Sequence, residues 1–417
     1  MYDRRVFLRG AAAAVAGVAS ASEGRTEVMS YAGQYDVDRS ISNLDAAYYG
    51  AMTRATSAAY RAHGDWVNRH NALFLRSALP GPTRDERLQP ATDAVASLIG
   101  ARPEEVALCG GGTEALYGLI VNYRRLKTGD AVLMADVDYD EMQHAMAYLE
   151  TSRGVRPVRM NVPEPATTAN ILAAYEVTLK RNPAIKLVLL THVSNRNGLV
   201  LPVREIADIA RRYGADVILD SAQAVGLLPV DVDALGIDFM GFSFHKWVAA
   251  PLGTGGIYIR KSRLADIDPW LGNHIRSDGD VRARAPTGTV DFAARLTVPH
   301  AVREHHEHGP GRKLAHLTRM RARWVEGVRA IPGLTITHPE EPGRVAVIGA
   351  FRFSGQRSWV DAQQAQKVLL SKHQVLVVAK QGLASGPVLR VTPSLFNTDV
   401  EIDRMIDAVK AERNLFT

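Results

Sequence analysis

The sequence predicts an α/β protein, with a mostly parallel seven-stranded sheet flanked by helices and a smaller C-terminal α+β domain. Three observations carry that expectation. From about residue 90 to 260, seven short apolar runs alternate with longer amphipathic stretches, the pattern of strand and crossover helix in an open parallel sheet. Helix-like stretches such as "VREIADIARRYG" (203–214) end on a glycine suited to a C-cap. Near residue 296 the pattern changes to a long charged helix, followed by shorter mixed segments.

In chain order, the apolar runs are "VALC" (106–109), "AVLMA" (131–135), "VRPVRMNV" (155–162), "IKLVLLTHV" (185–193), "DVILD" (216–220), "FMGFSF" (239–244) and "GIYIR" (256–260). The last two are joined by a short glycine-rich link with no room for a helix, so they are expected to form an antiparallel edge pair. One long helix is expected over 296–324, and segments such as "VAVIGAFRF", "PVLRVTP" and "DVEIDRMIDAVKAE" supply the smaller domain. The expected organisation is an N-terminal leader over 1–21, an N-terminal arm over 22–48, a large domain over 49–295 and a small domain over 296–417.

Composition narrows the function classes. The chain has 417 residues, 46% hydrophobic and 23% charged, with a formal net charge of +6. Its basic residues are interspersed with 44 acids, with no long basic block, which points away from nucleic acid. At the N-terminus, Arg4 and Arg5 precede Phe7 and Leu8, a weakly apolar alanine-rich stretch and a small-residue "ASA" at 19–21. That order resembles a twin-arginine export signal, which implies the twin-arginine translocase as a transient partner and a periplasmic or exported bacterial protein with no stable membrane anchor. Cys109 is the only cysteine, so an intramolecular disulfide and a cysteine-based metal cluster are both excluded. It is expected to be a small buried thiol. His300, His305, His306 and His308 have no cysteine or obvious carboxylate set near them and read as a solvated helix surface, and no metal site is expected.

The chemistry is carried by residues at strand ends, where open α/β sheets bind ligands. "CGGGTEAL" turns tightly from the first strand into a helix whose free N–H groups favour an anion. It lacks both the dinucleotide fingerprint and the lysine of an ATP-type phosphate loop, so a nicotinamide oxidoreductase is the weaker reading. Asp220 ends the run "DVILD", where a carboxylate needs a cation or a donor. Further along, "GFSFHKW" places Lys246 at the end of an apolar strand. An anion cradle, a strand-end carboxylate and a strand-end lysine together meet the needs of a pyridoxal 5'-phosphate site. The lysine amine bonds the aldehyde, the carboxylate keeps the pyridine nitrogen protonated, and the helix N-terminus holds the phosphate.

From about residue 40 to the C-terminus the chain resembles the fold-type I pyridoxal-phosphate enzymes of aminotransferase class V. The resemblance implies that Lys246 carries the cofactor and that Ser243 and His245 of "SFHK" contact its phosphate together with Gly112 and Thr113. From "DSAQ" it implies Asp220 at the pyridine nitrogen and Gln223 at the ring hydroxyl. Tyr139 is placed over the ring, with His144 a weaker claimant, and Asn195 of "HVSNRNG" beside the ring and the substrate carboxylate. Arg390 of "LRVTPSLFNT" would clamp that carboxylate, a task suited to a planar bidentate donor. Gly288 and Thr289 of "PTGTVD" would reach the phosphate of a neighbouring subunit, which implies a homodimer with shared active sites. No cysteine follows Cys109, so a desulfurase nucleophile is missing, and "NLDAAYYGAM" and "VNRHNALFLR" look most like the isopenicillin N epimerase-like branch.

The implied reaction is on the Cα amine of an amino acid or a peptide-linked amino acid, with Lys246 removing the Cα proton as general base. Transamination and epimerisation share every residue above, as does β- or γ-elimination or replacement, and a non-catalytic cofactor-binding protein is a further alternative. Trp270, Asn273, His274 and Arg276 lie in a loop that either contributes to this choice or is plain surface.

Overall fold

The computed structural model describes residues 31–337 and 341–416. The export-signal motif lies outside the described residues. A short strand β1 (Ser42–Asn43) leads into helices α1 (Arg54–Leu75) and α2 (Arg84–Leu98). Thr53 and Thr83 cap the two helices, each accepting from a backbone N–H three residues on.

The alternating region then runs β2 (Val106–Cys109), α3 (Gly112–Val121), β3 (Ala131–Ala135), α4 (Asp140–Arg153), β4 (Arg156–Met160), α5 (Thr168–Arg181), β5 (Ile185–Thr191), α6 (Val203–Arg212), β6 (Asp216–Asp220), β7 (Phe239–Ser243) and β8 (Gly255–Ile259). These strands form one seven-stranded sheet in the order β2-β8-β7-β6-β5-β3-β4. Every residue of β3, β7 and β8 is buried, as expected of strands covered by helices on both faces.

The pairing of β7 with β8 is antiparallel, as expected from the short link, but the pair is not at the edge. β8 lies inside the sheet and β2 lies outside it, paired antiparallel to β8. Glycines make this possible. A Cβ on Gly255 of β8 would come 2.4 Å from Gly111 Cα, and one on Gly241 of β7 would meet Leu116 Cγ of α3 at 2.6 Å. Register then brings Thr191 beside Asp220, Asp220 beside Gly241, and Gly255 between Ser243 and Cys109.

The single long helix expected over 296–324 is two helices, α7 (Phe292–His308) and α8 (Pro310–Arg329). Gly309 breaks them apart with φ of 75°, and Pro310 starts the second at a position where its missing N–H costs nothing. Residue 296 lies inside α7, which packs on α1 and α2. The histidine-rich turn is not a solvated surface throughout, since His305 and His308 are buried. Burial holds His305 far down, at about 3, with Lys313, His306 and His308 adding to the effect.

Beyond β9 (Thr335–Ile336), strands β10 (Gly349–Arg352), β12 (Val378–Lys380) and β13 (Val388–Val391) complete a four-stranded antiparallel sheet in the order β12-β13-β10-β9. α9 (Trp359–His373) and α10 (Asp399–Ala411) belong to the same C-terminal region, and the short strand β11 (Val375–Leu376) pairs in parallel with β1. The N-terminal segment thereby pairs with the C-terminal region in a separate two-stranded sheet, and bridges from Asp45 to Thr392, before running back toward Lys246. Among the described residues no helix is long and apolar enough to cross a membrane.

Candidate active site

Three strand ends and a helix start form the anion cradle. Gly112, the first residue of α3, donates its N–H to Ser243 Oγ at 2.9 Å, which leaves the Ser243 hydroxyl proton free to donate outward. A Cβ on Gly112 would stand 3.0 Å from both Ser243 Oγ and Ala222 Cβ, so glycine is what lets the β2–α3 turn close on β7. Thr113 is exposed on the first turn of α3. The His245 ring lies against Gly111, where a Cβ would meet its Cε1 at 3.3 Å, and its Nδ1 is 3.1 Å from Thr254 O. Burial, then the neighbouring charge of Lys246, push its imidazole down to about 4.

The centre of the site holds two opposite charges, a buried carboxylate and a half-buried ammonium. Asp220 ends β6 and is buried, with Oδ1 accepting from the Ala222 N–H at 2.9 Å. Burial raises its pKa, opposed by the Ala222 hydrogen bond and by Lys246. Lys246 follows β7 in a turn held by the N-terminal segment: Gly50 donates its N–H to His245 O at 2.9 Å. A Cβ on Gly50 would lie only 1.9 Å from Lys246 O. Burial lowers the Lys246 ammonium from 10.5 to about 8, with Asp220 pulling upward and Arg390 and Lys380 pushing further down. A lysine so placed is about one-tenth free amine at pH 7, far more than an ordinary lysine, which favours its use as a nucleophile or base.

Over this centre lies a second group of residues. Arg390 projects from β13, buried, and donates from Nη1 to Asn195 O at 2.8 Å and from Nη2 to Asp45. Two polar atoms here are buried without a hydrogen-bond partner, Asn195 Oδ1 and Arg390 Nε. Tyr139, at the N-cap of α4, is half-buried, whereas His144 is exposed on that helix. Burial raises the Tyr139 phenol, and the charges of Glu141, Asp140 and Asp220 add to the rise.

The structure therefore brings together Gly112, Thr113, Tyr139, Asn195, Asp220, Ser243, His245, Lys246 and Arg390. Gln223 is in the same place but committed elsewhere. Its Nε2 donates to Ala47 O at 2.8 Å and its Oε1 accepts from Trp247 Nε1 at 3.0 Å, so at most one amide proton is left for a ring hydroxyl. Gly288 and Thr289 are exposed and line a different cavity, of about 950 Å³, between α2, β2 and the 275–295 segment. Arg276 is tied to Asp85 of α2 at 2.7 Å, and Trp270 packs on Gly118 of α3; the loop carrying them is anchored to these helices.

Residues not singled out by sequence also belong to the site. Asp45 and Gly50 hold Arg390 and the Lys246 turn, and Lys380 stands next to Arg390 in the small sheet. Asp138 is fully buried, accepting from Ala135 N at 2.7 Å and Thr191 N at 3.1 Å, and burial raises its carboxyl to about 7. Of these, Asp138 had a legible signal, a carboxylate just past an apolar strand.

These residues fit pyridoxal 5'-phosphate. The glycine cradle has backbone N–H groups and the Ser243 hydroxyl for a phosphate, and Asp220 is a buried carboxylate still able to accept a proton donor. Asn195 Oδ1 is a buried acceptor awaiting a partner, and Lys246 is a depressed amine within the influence of Asp220.

Comparison with known proteins agrees. The family model described as Aminotransferase class-V matches residues 62–405. A curated isopenicillin N epimerase from Streptomyces clavuligerus is 28% identical over 400 residues, covering 91% of this chain and 96% of that protein. A probable cysteine desulfurase from Xylella fastidiosa is 27% identical over 386 residues, 88% of each chain. In fold, the chain resembles the crystal structure of the cysteine desulfurase CsdA from Escherichia coli, with a TM-score of 0.77 at 19% identity, covering 93% of this chain and 98% of that one.

Proposed function

The chain belongs to the aminotransferase class-V family of fold-type I pyridoxal 5'-phosphate enzymes, and from that premise we propose that it removes and returns the Cα proton of an amino acid or peptide-linked amino acid, as a transaminase or epimerase. The observation that carries this reading is the half-buried Lys246 after β7 beside the buried Asp220 at the end of the adjacent β6, with the lysine amine lowered to about 8 and Asp220 acting on it electrostatically. When bound, the cofactor supplies an electron-withdrawing ring that stabilises negative charge at the substrate Cα.

The chain's own residues do the rest. Gly112, Thr113 and Ser243 hold the phosphate at the N-terminus of α3, where helix N–H groups favour an anion. Asp220 holds a proton on the pyridine nitrogen. Arg390 and Asn195 would orient the substrate carboxylate, and Tyr139 would cover the bound ring and limit water. Lys246, with its free amine, takes the Cα proton. Returning that proton to the same face, the other face or a different carbon distinguishes the possible products. Loss of a β- or γ-substituent begins with the same step, and product analysis separates it.

A cysteine desulfurase is not proposed. Cys109 is buried behind the cradle with its Sγ 3.3 Å from Gly111 O, and burial pushes its thiol up to about 12, the opposite of a reactive thiolate. The shared-site homodimer rests on the exposed Gly288–Thr289 segment, and twin-arginine export to the periplasm rests on the N-terminal motif.

The test is the visible absorbance of the purified protein beside Lys246→Ala, before and after adding L- and D-amino acids. The wild type should show a lysine-dependent band that certain amines displace. A colourless wild type that pyridoxal 5'-phosphate fails to reconstitute overturns the reading.

A further inference from the structure

Arg390 alone is a poor match for a substrate carboxylate, because its charge is already taken. Its guanidinium is buried, and one end is paired with Asp45, whose side chain is itself only 18% exposed. A carboxylate arriving at this pair meets a centre of net charge near zero. It gains hydrogen bonds from the remaining Arg390 donors but little net attraction, and its desolvation goes largely uncompensated.

A second cation lies close by. In the antiparallel pairing of β12 with β13, Val378 stands opposite Arg390 and Lys380 opposite Val388. Side chains two residues apart on a strand share a face, so Lys380 and Arg390 project from the same face as diagonal neighbours, with about 7 Å between such positions. Lys380 is half-buried, and among the described residues no ion pair or hydrogen bond to its ammonium occurs. A half-buried lysine without a partner is unusual. The other nearby arginine offers no help: Arg196 is committed to Asp140 at 2.5 Å and to the carbonyls of Asp138 and Gln381. Lys246 feels all three charges, Arg390 and Lys380 lowering its ammonium and Asp45 raising it.

We propose that Lys380 is a substrate-binding residue, and that Arg390, Lys380 and Asp45 form a three-charge carboxylate site with a net charge of one. Asp45 holds the Arg390 plane in position and cancels its charge, and Lys380 restores the single positive charge that one carboxylate needs. The burial that lowers the Lys380 ammonium to about 8, reinforced by Arg390, is relieved when the carboxylate arrives. The site so built selects amines that carry one adjacent carboxylate over their neutral amides, with Lys380 rather than Arg390 as the source of net charge.

The inference rests on the amine-processing reading above, and the two can fail separately. Holoenzyme is titrated with L- and D-alanine, L- and D-methionine and the amide of each, following displacement of the visible band, in wild type, Lys380→Met, Lys380→Arg and Asp45→Asn. Lys380→Met should weaken the amino acids tenfold or more and leave the amides within about twofold, and Lys380→Arg should restore the difference. Asp45→Asn, by uncovering the charge of Arg390, should tighten the amino acids several-fold and leave the amides unchanged. If Lys380→Met weakens acids and amides equally, or Asp45→Asn weakens the acids, the three-charge site is wrong while the amine-processing reading stands. If no amine displaces the band in any protein, that reading falls and takes the inference with it.

Discussion

Replacing Lys246 by methionine should make the cofactor-free protein more stable near neutral pH, even though it removes the central residue of the site. Burial lowers the Lys246 ammonium from 10.5 to about 8, and the attraction of Asp220 is already contained in that figure. At about 1.4 kcal/mol per pKa unit, the displacement amounts to about 3 kcal/mol against the folded state when the lysine is charged in the unfolded chain. The folded pKa lies below the unfolded one, so the penalty is complete below about 8 and disappears as pH rises toward 10.5. Methionine fills a similar volume and carries no charge, so packing changes little. The assay is urea unfolding of cofactor-free wild type and Lys246→Met at pH 7 and pH 10. The variant should be the more stable at pH 7 by up to about 3 kcal/mol, with most of the gap closed at pH 10. A gap of the same size at both pH values would show that packing, not charge, is responsible. A wild type that is the more stable at pH 7 would refute the reasoning outright.

Two further outcomes follow from close contacts. Gly50→Ala places a methyl 1.9 Å from Lys246 O, a backbone atom that has no rotamer to yield with; it should cost about 1–3 kcal/mol in urea unfolding and slow cofactor capture by the apoprotein, and an unchanged capture rate would mean the 48–50 segment does not set the lysine turn. Cys109→Ala should keep full turnover, and the wild-type thiol, buried and pushed up to about 12, should resist iodoacetamide until the protein unfolds; loss of turnover in the variant would reopen a thiol mechanism.

Much of this site could be read from the sequence because its chemistry is local. Asp220 and Lys246 each end an apolar strand, and a charge there has to be explained whatever the fold. The glycine turn at 110–112 was visible for the same reason, since glycines between a strand and a helix announce a close approach. What stayed hidden depends on pairing between distant segments. The inner position of β8 follows from its fit against Gly111 and Gly255, a contact between residues more than 140 apart in the chain. The burial of His305 and His308 depends on how α7 and α8 fold around Gly309, and a charged composition alone read them as exposed. Gln223 follows Asp220 as the sequence indicates, but its engagement with Ala47 and Trp247 depends on a segment that no strand pattern marks.

That segment, residues 42–50, is what joins the two halves of the site. Ser42 and Asn43 pair with β11, Asp45 pairs with Arg390, Ala47 O accepts from Gln223, and Gly50 N–H donates to His245 O. The Arg390 end of the site and the lysine turn are thus tied to one short stretch of backbone, closed by a turn in which Tyr48 N donates to Asp45 O. Arg390, proposed to take the substrate carboxylate, is therefore held by the same segment that holds the turn carrying Lys246. Under the proposed reaction one segment would thus position both the carboxylate anchor and the Lys246 amine, the arrangement that a reaction at the carbon between them requires.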